Sequence, residues 1–409
     1  MKPRWLLLCG LIFVALVIAG VLLSWRASIP EIAPPPRSAF STQDIARGRA
    51  LAAVGDCMTC HTTQSGRPFA GGRPIPTPFG VVFSTNITPD RKMGIGRWSI
   101  DAFRRAMRQG IARDGTHLYP AFPYDHFAQT RGSDIAELYA YLMTREPVSA
   151  PALHDRLLPP FDIRALLAGW NFLYFHRSPF RADRSKSAAW NRGAYLVETL
   201  GHCGACHTPH SAFGAEKTNR ALDGAMAEGW YAPPLDARSS APVPWTVDEL
   251  STYLRTGVDD HHGGAAGPMR RVTRSLHDAP SSDVSAMATY LASLMPRRTP
   301  SRRRMAATDS QAAAIFVGAC AACHDSSRWP PLGDSTTLTE HSPRDTLEIL
   351  LHGIPWRADG LYMPPFAATL DDAQVADLAN SLRARFAGRA PWSDAEAQAR
   401  RIRKEIPAR

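Results

Sequence analysis

Three times along this chain two cysteines stand two residues apart with a histidine directly after the second: Cys57-Met58-Thr59-Cys60-His61, Cys203-Gly204-Ala205-Cys206-His207 and Cys320-Ala321-Ala322-Cys323-His324. Only Cys9 falls outside the pattern. With 7 Cys and 14 His in 409 residues, random placement would supply on the order of 0.004 such units. In a Cys-x-x-Cys-His unit the two thiols form thioethers with the vinyl groups of a haem and the histidine becomes the proximal iron ligand. The spacing suits that chemistry: cysteines one helical turn apart reach one edge of the macrocycle, and the histidine folds beneath its centre. A structural zinc site wants four ligands, commonly two Cys-x-x-Cys pairs, and a redox dithiol has no use for the histidine. The motifs therefore predict three covalently bound haem c groups, with His61, His207 and His324 on iron.

The N-terminus fits the compartment in which haem c is attached. Residues 5–24 run without a charge, enough helix to cross the ~30 Å hydrocarbon core. Lys2 and Arg4 precede the run and should stay cytoplasmic. Residues 1–26 are thus expected to be a single-pass inner-membrane anchor that places everything after it in the periplasm. A cleaved signal peptide is the competing reading, but Trp25-Arg26-Ala27-Ser28 makes a poor cleavage site. Cys9 reads as a lipid-facing apolar residue. A Pro-rich linker, 27–39, follows.

Beyond the linker the chain repeats. Trp98 aligned with Trp245 matches thirteen residues without a gap, and Gly110 meets Gly257. Each stretch reads as an amphipathic helix stopped by glycine. A later helix recurs at 134–143 and 283–294, and a shorter third copy has helices at 345–353 and 371–382. The expected fold class is all-α: three cytochrome c domains in series, at 40–150, 185–298 and 305–390, with a connector at 151–184 and a charged tail at 391–409. The formal charge is +10, but Lys and Arg are scattered apart from a cluster at 297–304. Haem propionates would offset part of the excess, so nucleic acid is not an expected partner.

The sixth iron ligand decides what a haem can do, because methionine there raises the potential and closes the iron to other ligands. Twelve residues past Gly257 stands Met269, and ten past Gly353 stands Met363, each in a Pro-containing loop between helices. Both are expected iron ligands. The first repeat breaks the rule, since twelve residues past Gly110 stands Phe122. His126 is the first choice of replacement and would give a bis-His haem. His117, Met93 and Met107 are the other candidates, and an open five-coordinate iron is a further one. His202, His210, His261 and His262 are expected to be structural or exposed. No Ser-His-Asp arrangement, Rossmann glycine pattern or P-loop occurs, so the chain is expected to carry electrons and not to be an enzyme itself.

Taken together, Arg47-Gly48-Arg49-Ala50-Leu51-Ala52, Gly55-Asp56-Cys57, Thr85-Asn86-Ile87-Thr88-Pro89-Asp90, Tyr119-Pro120-Ala121-Phe122-Pro123-Tyr124, Asn191-Arg192-Gly193-Ala194-Tyr195-Leu196 and Gly201-His202-Cys203 make the chain resemble the membrane-bound triheme cytochrome c subunits of bacterial dehydrogenases. Three stretches, Tyr124-Asp125-His126-Phe127, 143–147 and 166–171, are similar to the branch accompanying molybdenum hydroxylases such as aldehyde, nicotinate or isoquinoline oxidoreductases. The resemblance implies a dehydrogenase catalytic subunit as electron donor, a molybdenum hydroxylase or a quinoprotein, and ubiquinone or a terminal oxidase as acceptor. Two departures from it stand out: Phe122 replaces the methionine usual in quinoprotein-linked members, and Asp325 to Pro331 replace a Gly-rich loop. A peroxidase-like activity at an open first haem and a relay without a dedicated dehydrogenase are the alternative readings.

Overall fold

The computed structural model of the protein describes residues 24–176, 178–296, 310–324, 332–355 and 362–405. The expected anchor up to residue 23, the arginine cluster at 297–304 and the segment Asp325 to Pro331 lie outside the described residues. Among those described, no helix is long and apolar enough to cross a membrane.

The chain is mostly helical. Its principal α-helices are α1 (Thr42–Val54), α2 (Cys57–Cys60), α3 (Ile100–Gln109), α4 (Tyr124–Phe127), α5 (Gly132–Met143), α6 (Leu167–Tyr174), α7 (Ala188–Glu198), α8 (Gly204–His207), α9 (Val247–Thr256), α10 (Met269–His277), α11 (Ser281–Leu294), α12 (Ser310–Ile315), α13 (Ala321–His324), α14 (Thr336–Thr339), α15 (Arg344–His352), α16 (Asp372–Leu382) and α17 (Ala395–Glu405). The helices read from the repeat are all present within about two residues. Their ends are set locally. Ser99 opens α3 by accepting the Ala102 N–H, and Thr246 with Glu249 forms a full capping box on α9. Gly110 (φ 62°) and Gly257 (φ 76°) end these two helices in the left-handed region that favours glycine.

An all-α architecture is not the whole description. Seven short strands are present among the described residues: β1 (Pro74–Thr77), β2 (Gly80–Phe83), β3 (Arg156–Leu157), β4 (Ala225–Ala227), β5 (Trp230–Ala232), β6 (Val258–Asp259) and β7 (Gly263–Gly264). They make one three-stranded sheet, β1-β2-β3, and two hairpins, all antiparallel. Proline at positions 74, 76 and 78 hid β1 and β2 from a period-two reading; in the structure Pro74 and Pro76 sit on the edge strand of their sheet, where a missing N–H is tolerated.

The chain divides into two compact units. The first holds the described residues up to 183 together with 195–202 and 212–215; the second holds 184–194, 203–211 and the described residues from 216 onward. In the first unit α1 crosses α5 closely at Gly48, where a Cβ would lie 1.9 Å from the Glu137 carbonyl oxygen. Arg47 beside it pairs with Glu137 at 3.2 Å. In the second unit α7 crosses α11 in the same way. A Cβ on Gly193 would lie 1.9 Å from the Ala286 oxygen, and Arg192 pairs with Asp283 at 2.8 Å. In the C-terminal part, α12 packs on α16, and a core of Phe316, Leu347, Leu351, Val375, Leu378 and Ile402 closes around them.

This C-terminal core docks on the rest of the second unit through buried carboxyls. Glu340 accepts the Ser240 hydroxyl at 2.7 Å, and Asp345 accepts the Tyr231 N–H at 2.7 Å. Burial pushes both carboxyls up to about 7. The folded chain therefore holds these protons at pH values where the unfolded chain has lost them, and stability falls as pH rises from the ordinary carboxyl range through about 7. The melting temperature of the second unit is expected to be lower at about pH 8 than at about pH 5.5. Glu340→Gln should flatten that dependence in calorimetric scans, and an unchanged slope would remove Glu340 as its source.

Candidate haem-attachment sites

Each Cys-x-x-Cys-His unit folds as about one helical turn, and the first two open long loops. In the first, the His61 N–H donates to the Cys57 oxygen at 3.0 Å; in the second, His207 does the same to Cys203 at 3.0 Å. In the third, Cys320 ends a widened turn and α13 carries Cys323 and His324. The residue before the first cysteine is left-handed in two units, Asp56 at φ 49° and His202 at φ 34°. That shared backbone corner aims α2 and α8 off the preceding helix.

No disulfide joins any of the six motif cysteines. Burial pushes the Cys57 and Cys203 thiols up to about 12. Reactive Cys-x-x-Cys dithiols are shifted the other way, so these pairs are poor redox dithiols and well placed as apolar attachment points.

The histidines carry the most specific signal. His61 Nδ1 lies 2.6 Å from the Thr85 carbonyl oxygen and His207 Nδ1 lies 2.7 Å from that of Pro233. A carbonyl can only accept, so Nδ1 bears the proton and Nε2 keeps its lone pair. Burial also pushes both imidazoles down, towards the neutral form that binds metal. These residues fit a haem iron: the ring is oriented, the tautomer is set and Nε2 keeps a free lone pair for a metal.

The acceptor carbonyls come from segments that sequence reasoning did not assign to the site. Thr85 precedes Asn86, whose side chain accepts from Thr88 N–H at 2.9 Å and donates to the Val148 oxygen at 2.7 Å. Asn86 thus pins the loop that presents the Thr85 oxygen. In the second repeat the Pro233-Pro234 pair serves in its place. The available signal was a Pro- or Asn-containing segment some 25 residues past each motif histidine, and the acceptor is backbone, which no side-chain pattern displays.

On the opposite side of the repeat, the hydrogen-bond register matches the counted alignment. Leu118 N–H donates to the Gly110 oxygen at 2.7 Å, and Ala265 N–H to the Gly257 oxygen at 2.8 Å. Four residues on from each stand Phe122 and Met269, so the structure sets them at equivalent positions. Met269 opens α10 and is half-buried. Met363 pairs with Ile354 through two backbone hydrogen bonds of 2.9 and 3.0 Å and packs against the C-terminal core.

The candidates around the first repeat separate clearly. Phe122 packs its ring on Phe127 at 5.2 Å. His126, in α4, directs Nδ1 to the Glu198 oxygen at 2.8 Å, the same arrangement that sets His61 and His207. His117 is buried, with Nε2 2.9 Å from the Ser24 oxygen and Nδ1 beside Asn171, so both its nitrogens are engaged structurally. Met107 is buried in α3, and Met93 is 43 % exposed on a turn held by Asp90. Of the remaining histidines, His202 packs on Phe127, and His262 is buried, the structural alternative of the two readings.

Comparison with known proteins places the sequence among cytochromes. Residues 307–380 match the family described as cytochrome c oxidase, cbb3-type, subunit III. The chain is 45 % identical over 413 residues to a subunit of the nicotinate dehydrogenase of Pseudomonas putida, covering 97 % of this chain and 35 % of that protein. It thus spans about a third of that relative's length. It is 35 % identical to the fructose dehydrogenase cytochrome subunit of Gluconobacter japonicus, covering 96 % and 89 % of the two chains. It is 36 % identical to the gluconate 2-dehydrogenase cytochrome c subunit of Pantoea cypripedii, covering 83 % and 85 %.

Proposed function

Because the chain belongs to the family of cytochrome c subunits of dehydrogenase complexes, we propose that it carries three haem c groups, one at each Cys-x-x-Cys-His unit, and relays electrons from a periplasmic dehydrogenase to the respiratory chain. It is an electron-transfer subunit and not the catalytic one. When bound, haem supplies a one-electron couple whose potential the axial ligands set. The observation that carries the reading is the repeated Nδ1-to-carbonyl hydrogen bond of His61 and His207, which prepares Nε2 as a ligand.

In this reading Met269 and Met363 complete the second and third haems, His126 completes the first, and three cytochrome c domains follow one another. The donor is a dehydrogenase of the molybdenum hydroxylase type; the higher identity to the nicotinate dehydrogenase relative supports it over a quinoprotein partner. The acceptor is ubiquinone or a terminal oxidase. Residues 1–26 anchor the chain in the inner membrane with the haem domains in the periplasm. Exposed apolar side chains support a membrane location: Leu158, Leu166, Leu173 and Phe172 are 62, 55, 61 and 85 % exposed along the connector and α6.

Optical and near-infrared spectra of the purified protein test the ligand set. Three haems per chain are expected, two with the Met–iron band and one bis-His. His126→Ala should convert one haem to a high-spin, ligand-binding form. No change in that variant would remove His126 from iron, and a first haem already high-spin in the wild type would favour the peroxidase-like alternative.

A further inference from the structure

The hairpin β6–β7 leads into Met269, and its turn carries a group that electron transfer does not call on. The His262 side chain is wholly buried, and neither ring nitrogen has a hydrogen-bond partner. Trp245 covers one face of the ring, stacked at 3.4 Å and 12°. The ring edge with its nitrogens turns towards carboxylates: Nε2 lies 3.9 Å from Glu249 Oε2. One ligand atom each from Glu249, Asp259 and His262 falls within 4.8 Å of the other two. His261 stands beside them, 4.0 Å from Glu249 and 3.8 Å from Asp334.

We propose that Glu249, Asp259 and His262 bind one transition-metal dication of the zinc class, with His261 and Asp334 at its rim. A buried imidazole with two idle nitrogens is costly unless something accepts or coordinates there. A haem propionate would be the first alternative occupant, but the charged groups facing His262 are Asp259, Glu249, His261 and Asp334, three of them acids that repel an anion and attract a cation. The imidazole selects the metal: zinc and its neighbours take mixed nitrogen and oxygen ligands, whereas calcium and magnesium take oxygen. The carboxylates are already oriented. Asp259 accepts the His261 and His262 N–H groups at 3.0 and 3.1 Å, and Glu249 is held by Thr246 at the start of α9. Contraction to ligand bonds of ~2.0–2.2 Å would tie the hairpin to α9 five residues before Met269.

The test uses the haem-loaded full chain without a histidine tag, dialysed against chelator and titrated with Zn2+ alone. Calorimetry and elemental analysis should give about one zinc per chain beyond the haem iron, and zinc should raise the melting temperature. His262→Gln and the isosteric Asp259→Asn should each weaken zinc binding about tenfold or more and abolish the thermal shift. Should His262→Gln fail to fold, Asp259→Asn decides alone. The proposal is overturned if the wild type takes up no zinc, if both variants bind like the wild type, or if calcium competes zinc away at equal concentration.

Discussion

Replacing His207 by alanine is expected to leave the second haem covalently attached through Cys203 and Cys206 yet without its proximal ligand. About one third of the low-spin haem signal should convert to a high-spin, carbon-monoxide-binding form. Electron delivery from the reduced dehydrogenase should fall about tenfold or more, because changing an axial ligand shifts the potential that the neighbouring haems must match. Added imidazole should restore the low-spin spectrum, since the cavity left by the side chain is the size of that ring. The bond from Nδ1 to the Pro233 oxygen is the physical reason: one nitrogen is used for orientation so that the other can ligate. A spectrum that keeps every haem low-spin in His207→Ala would mean that His207 is not the ligand. His61→Ala should behave alike, with Thr85 in the place of Pro233.

The second large effect comes from a site with no polar chemistry. Gly193→Ala places a methyl 1.9 Å from the Ala286 carbonyl oxygen and 2.9 Å from the Tyr290 Cβ. The first contact is with backbone and cannot be relieved by a side-chain rotation, so α7 and α11 must separate. Overpacking usually costs ~1–3 kcal/mol, and a backbone-to-backbone overlap belongs at the top of that range. The melting temperature should drop by several degrees, and the Arg192–Asp283 pair should loosen with the crossing. Gly169→Ala is the control. A Cβ there meets nothing within 4 Å, so it should be neutral or slightly stabilising in α6. Equal losses in the two variants would show that the crossing does not require glycine.

Much of this could be read from the residues alone because the signals are local. A Cys-x-x-Cys-His unit is one helical turn wherever it lies, and a Ser, Thr or Asp cap with a closing glycine marks a helix without reference to its neighbours. The alignment of Gly110 with Gly257 predicted equivalent positions for Phe122 and Met269, and the bonds from Leu118 and Ala265 repeat that register. The strands were missed because they are two to four residues long and held by a partner strand. The part played by Gly48 and Gly193 was missed for a related reason: a glycine in a helix reads as a weakness until the second helix is known to touch it.

The sequence by itself determined the chemistry: which cysteines can take thioethers, which histidines follow them, and where methionine recurs or is absent. Only the tertiary structure decided how those groups are held. The Thr85 and Pro233 oxygens that orient the histidines are backbone atoms, the same in every residue, so no composition announces them. The approach of His262 to Glu249 and Asp259 likewise depends on where a hairpin lies against a helix. Covalent capability is a property of a side chain, whereas orientation, burial and tautomer belong to the surroundings, which exist only once distant segments have packed.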